Sequence, residues 1–142
     1  MSFSLPWLPI GAVLGGLAVA AGAFAAHGLD QTFADKYRDA PPKTVAGREM
    51  PASWKYLQDF KTGAEYQMYH ALALVAVGLA ARGGRTRLLD VAGWSFLLGI
   101  VLFSGSLYVL TLTAQPRWGA VTPFGGILFL VGWAALTFAA LA

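Results

Sequence analysis

Apolar residues fall into four long runs along this chain, at about 7–28, 63–81, 88–113 and 118–142, and the polar residues gather between them. A helix needs about 20 apolar residues to cross a hydrocarbon core of ~30 Å. Each run is about that long. The first and last carry no charge, the second carries Glu65 and His70 in its first half, and the third has Asp90 near its start. The pattern predicts an all-α, integral membrane four-helix bundle, a single membrane domain over residues 1–142.

The connections differ in kind. Residues 29–62 form a polar loop with six basic and five acidic side chains, in which Pro41, Pro42 and Pro51 break any long helix. At its end Trp54, Leu57 and Phe60 are spaced by three. That spacing fits a short amphipathic helix on the membrane surface, and equally a helical lead-in to the second span. The second connection, 82–87, is short and carries three arginines, and the third, about 114–117, contains Pro116. Short connections make consecutive helices antiparallel neighbours. The first run has a rival reading as a cleaved signal peptide, with Ala23-Phe24-Ala25 as the small-residue site. No Lys or Arg precedes it and it is long, so a retained span is expected.

Composition agrees with a lipid environment. The chain is 57% hydrophobic and only 12% charged, too few polar residues to cover a water-facing surface. Its mean hydropathy is +0.59. The absence of cysteine excludes disulfides, thiolate metal sites and a Cys nucleophile. The net charge of +3 comes from loop residues, with no basic stripe interleaved with aromatics, so lipid and topology explain it and no nucleic-acid partner is expected. Four spans put both termini on the side of the arginine loop. That loop is compact and free of acids, which favours the cytoplasm, although the longer first loop holds more basic residues. Both termini are expected inside.

Helices in lipid associate by close packing of small residues. Gly11, Gly15 and Gly22 share one face of the first span, while Gly119 with Gly126 and Gly125 with Gly132 repeat at seven in the fourth. These are packing faces within one chain or the seam of a homo-oligomer or larger membrane complex.

Ionisable groups inside a membrane are costly and call for a reason. With alternating helix directions, His27 at the end of the first span, Glu65, Tyr66, Gln67, Tyr69 and His70 at the start of the second, Ser104, Ser106 and Tyr108 late in the third and Thr122 at the start of the fourth fall in one half of the bilayer. At 100° per residue Glu65 and His70 are about 140° apart, so each must find its partner on another helix. Two histidines from different helices are candidate haem or metal ligands, without a diagnostic spacing. Glu and His together suit proton relay or cation binding. A Ser–His hydrolase lacks a nucleophile motif. Against all these stands the plain reading, in which the cluster braces the helices and Thr122-Pro123 simply starts one.

The stretches Gly22-Ala-Phe-Ala-Ala-His27-Gly-Leu29, Thr62-Gly-Ala-Glu-Tyr-Gln-Met-Tyr-His70-Ala-Leu, Leu102-Phe-Ser-Gly-Ser-Leu-Tyr108 and Thr122-Pro-Phe-Gly-Gly126 with Gly132-Trp133 resemble, in order, the helix signatures of a family of small bacterial inner-membrane proteins. It is domain-of-unknown-function family 423, or uncharacterised protein family 0382, and eukaryotic transmembrane protein 256 is similar. The resemblance implies a four-span inner-membrane protein and no activity. Its motif positions coincide with His27, Glu65, Tyr66, Gln67, His70, Ser104, Gly105, Ser106, Tyr108, Thr122 and Pro123. The departure is the first loop, where about 35–52 looks inserted. The expectation is therefore a multi-pass, non-enzymatic membrane protein that binds a small ligand, ion or lipid, or assists a membrane assembly, with no assigned cofactor. The alternative is a small proton- or cation-coupled carrier.

Overall fold

The computed structural model describes residues 6–141. In chain order it has α1 (Trp7–His27), a short α2 (Leu29–Lys36), a hairpin of β1 (Lys43–Val45) and β2 (Arg48–Met50), α3 (Ala52–Ala80), α4 (Arg87–Thr113), a 3-10 turn (Pro116–Ala120) and α5 (Thr122–Leu141). The chain is all-α apart from the hairpin. Among the described residues three helical stretches are long and apolar enough to cross a membrane: α1, α4 and the segment Pro116–Leu141 that ends in α5. α3 is the longest helix, at 29 residues, but it carries Lys55, Asp59, Lys61, Glu65, Gln67 and His70. That composition, not its length, keeps it out of the apolar set.

The expected loop 29–62 is largely structured. α2 follows α1 after the single residue Gly28, and the segment expected as an insertion carries the hairpin. Its register pairs Thr44 with Glu49, and both central turn residues have positive φ, Ala46 at 48° and Gly47 at 78°. That is the primed two-residue turn whose twist matches antiparallel strands. Of the two readings for residues 54–60, the structure takes the lead-in. Tyr56, Phe60, Gly63, Gln67, His70, Leu74 and Val77 are all buried. This inward stripe, alternating three and four, runs unbroken along α3, so the helix has no reason to stop. Leu57 and Phe60 share the buried side, whereas Trp54 is 40% exposed and belongs to another face.

The four long helices run alternately up and down. Leu8 lies against Gly78 and Phe24 against Phe60, so α1 and α3 are antiparallel. Gly63 meets Tyr108 across α3 and α4, and Gly99 meets Phe129 across α4 and α5. α3 and α4 form the shared centre, with α1 and α5 on opposite flanks. Close approach depends on glycine at a few points. A Cβ on Gly78 would lie 2.4 Å from the backbone nitrogen of Leu8, and one on Gly125 would lie 2.4 Å from that of Phe103. Of the two seven-residue repeats in the last apolar run, Gly125 and Gly132 of α5 make the tight contacts, while Gly126 of α5 and Gly119 of the 3-10 turn make only loose ones. In α1, Gly11 is tight, Gly15 is in ordinary contact and Gly22 is open.

The two ends of the assembly are built differently. At one end Trp7 is buried against Gly93, stacks edge-on to Trp94, and donates its indole N–H to Asp90 at 3.3 Å. Asp90 also pairs with Arg85 of the arginine loop. At the other end α2 and the lead-in of α3 bury Leu29, Phe33, Tyr37, Tyr56, Leu57 and Phe60 in a second apolar cluster. This cap closes the C-terminus of α4. The last carbonyls of a helix lack intrahelical donors. Here the Lys36 ammonium donates to the carbonyl of Leu112 and the Tyr37 hydroxyl to that of Thr111.

Candidate functional site

The sequence-derived residues separate into three groups. The first is centred on Gln67, which is buried on α3. Its side-chain NH2 donates to the carbonyl of Leu14 on α1 at 2.9 Å, and its side-chain oxygen accepts from the Tyr108 hydroxyl on α4, also at 2.9 Å. One amide thus joins three helices. The Tyr108 ring sits on Phe60, with centroids 4.7 Å apart.

The second group is centred on His70. Nδ1 is 2.7 Å from the carbonyl of Tyr66, one turn earlier. A carbonyl can only accept, so Nδ1 carries the hydrogen. Nε2 therefore has a free lone pair, and it accepts the indole N–H of Trp133 on α5 at 3.3 Å. The tautomer follows from the two partners rather than from any hydrogen seen. The ring lies flat on Phe129, with centroids 3.4 Å apart and planes within 3°. Tyr66 continues the stack onto Phe103 at 4.6 Å. Ser106 and Thr122 tie α4 to α5 nearby, oxygen to oxygen at 2.7 Å, and Ser106 also lies 2.9 Å from the carbonyl of Phe103. Ser104 is fully buried and its hydroxyl has no hydrogen-bond partner among the described residues.

The third group is outward. Glu65 is exposed, as are Tyr69 and His27. With Lys61, Glu65 lines a groove of roughly 320 Å³ between α1 and α3, floored by Ala18, Gly22, Ala64 and Met68. No other titratable side chain lines it.

The structure thus brings Gln67 to Tyr108 and Ser106 to Thr122, and gives His70 partners among aromatics. It does not bring the two histidines together. Ala71 lies against Gly11 and Gly15 of α1. From Gly15 to His27 is twelve residues, about 18 Å along a helix axis. A single metal or haem iron cannot be shared across that distance. No group of three or more His, Asp or Glu with metal-binding geometry occurs among the described residues. His70 also sits near the middle of the helix assembly, level with the centres of α4 and α5, rather than towards the capped end. The reason is that the cap consumes the first turns of α3, so the helix is already deep when it reaches residue 70.

Residue-by-residue reading missed Phe129, Trp133 and Lys61. Trp133 follows Gly132, whose missing side chain lets Phe96 close over the same spot. That glycine–tryptophan step was the available signal. Lys61 had none beyond standing one turn before Glu65.

An apolar helical exterior, glycine-mediated helix contacts and buried polar side chains hydrogen-bonded between helices define a multi-pass helical membrane protein. A family model described as "Protein of unknown function (DUF423)" matches residues 21–126, and the chain belongs to that family. It is 41% identical over 133 residues to a UPF0382 membrane protein of Staphylococcus epidermidis, covering 93% of this chain and 92% of the relative. It is 41% identical over 132 residues to the UPF0382 membrane protein YwdK of Bacillus subtilis, covering 92% of each. Against a UPF0382 membrane protein of Haemophilus influenzae the identity is 40% over 133 residues, covering 93% and 90%. No solved structure matches the chain.

Proposed function

We propose that this is a non-enzymatic, four-span protein of the bacterial inner membrane that binds a lipid in the groove between α1 and α3. The inward polar residues serve as braces for the helices. The observation that carries this reading is the division of the polar set. Gln67 and Tyr108 bond across helices and His70 divides its ring nitrogens between Tyr66 of its own helix and Trp133 of α5, whereas Glu65 and Lys61 face outward into a groove without partners among the described residues. A charged side chain facing lipid is expensive. A polar headgroup relieves that cost, and the groove's small-residue floor leaves room for it.

α3 supplies the fourth span in this reading. It packs along α1 on one side and α4 on the other, and two of its polar residues, Gln67 and His70, are buried. At ~1.5 Å per residue α3 is about 43 Å long, so it crosses a ~30 Å core and still projects into the cap. The arginine loop and both termini face the cytoplasm, and the cap faces the other side. Gly16 and Gly105, open on the outer surface, mark where a second copy or a larger assembly would seat.

The carrier reading has one observation in its favour, the unpartnered Glu65 carboxylate. It fares worse because the opposite half of the centre is apolar, with Leu74, Val77, Leu89, Ala92 and Phe96 buried together.

The test uses the lack of cysteine. Single cysteines at Thr44 and Gly84 are labelled from outside with a membrane-impermeant thiol reagent. Four spans require labelling of one position only. Labelling of both, or of neither before permeabilisation, means that α3 does not cross. Native mass spectrometry of gently extracted protein tests the binding. Retained lipid that is lost in Gly22→Leu, which fills the groove, supports the reading. A bare mass, or retention unaffected by Gly22→Leu, overturns it.

A further inference from the structure

We propose that the α1–α3 groove selects the headgroup of an aminophospholipid, with the phosphate on Lys61 and the primary ammonium on Glu65. This rests on the lipid-binding reading above and adds the headgroup class.

The two groove charges are opposite in sign and one helical turn apart, about 6 Å of rise. They do not satisfy each other. Three ion pairs exist among the described residues, Asp35 with Arg38, Lys55 with Asp59, and Arg85 with Asp90, and neither Lys61 nor Glu65 takes part in any. Lys precedes Glu here, the weaker order for a pair spaced by four. Both Cα–Cβ bonds also tilt towards the N-terminus of α3, although the same order and spacing does close between Lys55 and Asp59. The Lys61 and Glu65 bonds lean towards the capped end, where a lipid headgroup would stand.

A ligand that answers both charges must carry an anion and a cation on adjacent groups. A phosphate linked to an ammonium does so. An anionic headgroup would satisfy Lys61 and be repelled by Glu65. A carboxylate away from water also needs hydrogen-bond donors, because charge alone does not offset its desolvation. A primary ammonium brings three N–H donors and a trimethylated one brings none. Primary amines are therefore favoured. Level with the charges the groove offers Gly22, where an added Cβ would meet nothing within 4 Å, and further towards the centre come Ala18 and Met68, the latter in loose contact with Gly15. An acyl chain fits along that line. A second copy is the competing occupant, and reciprocal Lys61–Glu65 pairs across a dimer would use the same charges.

The experiment reconstitutes the full chain in vesicles of equimolar phosphatidylethanolamine, phosphatidylcholine and phosphatidylglycerol, and reads retained lipid by native mass spectrometry after gentle extraction. Phosphatidylethanolamine is expected to be enriched about tenfold over the other two, corresponding to ~1.4 kcal/mol. Glu65→Gln should erase the preference over phosphatidylcholine while some lipid remains, and Lys61→Gln should reduce retention of every lipid. Helical circular dichroism and Tm establish that each variant folds. Equal retention of phosphatidylethanolamine and phosphatidylcholine overturns the headgroup assignment, as does preference for phosphatidylglycerol, and either leaves the groove as a lipid site. Absence of any retained lipid from wild type overturns the underlying binding reading. A disulfide-linked dimer formed by Gly22→Cys in the bilayer assigns the groove to a second copy and overturns the proposal.

Discussion

The indole N–H of Trp133 points at Nε2 of His70 across 3.3 Å, from the flank helix α5 to the central helix α3. With Nδ1 committed to Tyr66 and one ring face on Phe129, the histidine is held as part of the aromatic core. The hydrogen bond from Trp133 requires its neutral form, since a doubly protonated ring has no lone pair to offer.

Trp133→Phe should remove that hydrogen bond and keep the packing. The expected cost is about 0.6–1.5 kcal/mol, the range for side-chain hydrogen bonds in membrane proteins. His70→Ala should cost more, about 2–4 kcal/mol, because it also leaves a cavity against Phe129 and Phe96. Thermal unfolding in mild detergent separates the two variants. If His70→Ala melts like wild type, the histidine does not brace the fold.

Gln67 and Tyr108 should be energetically coupled. Gln67→Leu leaves the Tyr108 hydroxyl without its acceptor, and Tyr108→Phe leaves half of the amide idle. The double variant should therefore lose less than the sum of the single losses, by about 0.5–1 kcal/mol. Strict additivity in a denaturation series would mean that the bond from Tyr108 to Gln67 contributes nothing.

Glycines on the packed pair α1 and α3 should respond in opposite ways. Gly78→Ala puts a methyl group 2.4 Å from backbone nitrogen of Leu8, so α1 must move away, at about 1–3 kcal/mol. Gly16→Ala meets nothing within 4 Å and should be neutral or slightly stabilising, since alanine is the better helix former. Equal Tm values for the two variants would contradict the packing described.

Tyr37 gives the cap a pH dependence. Burial raises its pKa above the ordinary 10.0, and the nearby Tyr56 raises it further. The folded state thus holds the phenol proton more tightly than the unfolded chain. The associated stability is fully present below pH 10 and declines as pH rises through the folded value. Alkali should loosen the cap, read by the fluorescence of Trp54, and Tyr37→Phe should remove the part of that transition due to this proton. An unchanged alkaline transition in Tyr37→Phe would assign it elsewhere.

Much of the architecture is legible from spacing alone. The apolar runs place α1, α4 and α5 to within a few residues, because a helix in lipid must be long and continuously apolar. α3 is less legible at its start, since the apolar run begins at residue 63 and the turns before it carry Lys55, Asp59 and Lys61. The hairpin left almost no trace, as Ala46-Gly47 is a weak form of the turn signal and its strands are three residues each.

By itself the sequence determined a helical membrane protein, the antiparallel order of its helices, the family, and a polar set focused on residues 65–70, 104–108 and 122. These follow from solvent, chain length and short connections, which act locally. Only the tertiary structure decided which polar residues meet. Gln67 reaches α1 and α4, His70 reaches α5, Glu65 joins Lys61 in a groove, and His27 stands apart from them all. Those pairings depend on the rotation and axial shift of each helix, which glycine contacts such as Gly78 on Leu8 and Gly125 on Phe103 set at close range. No single helix carries that information, because each contact needs the partner's backbone to be in place.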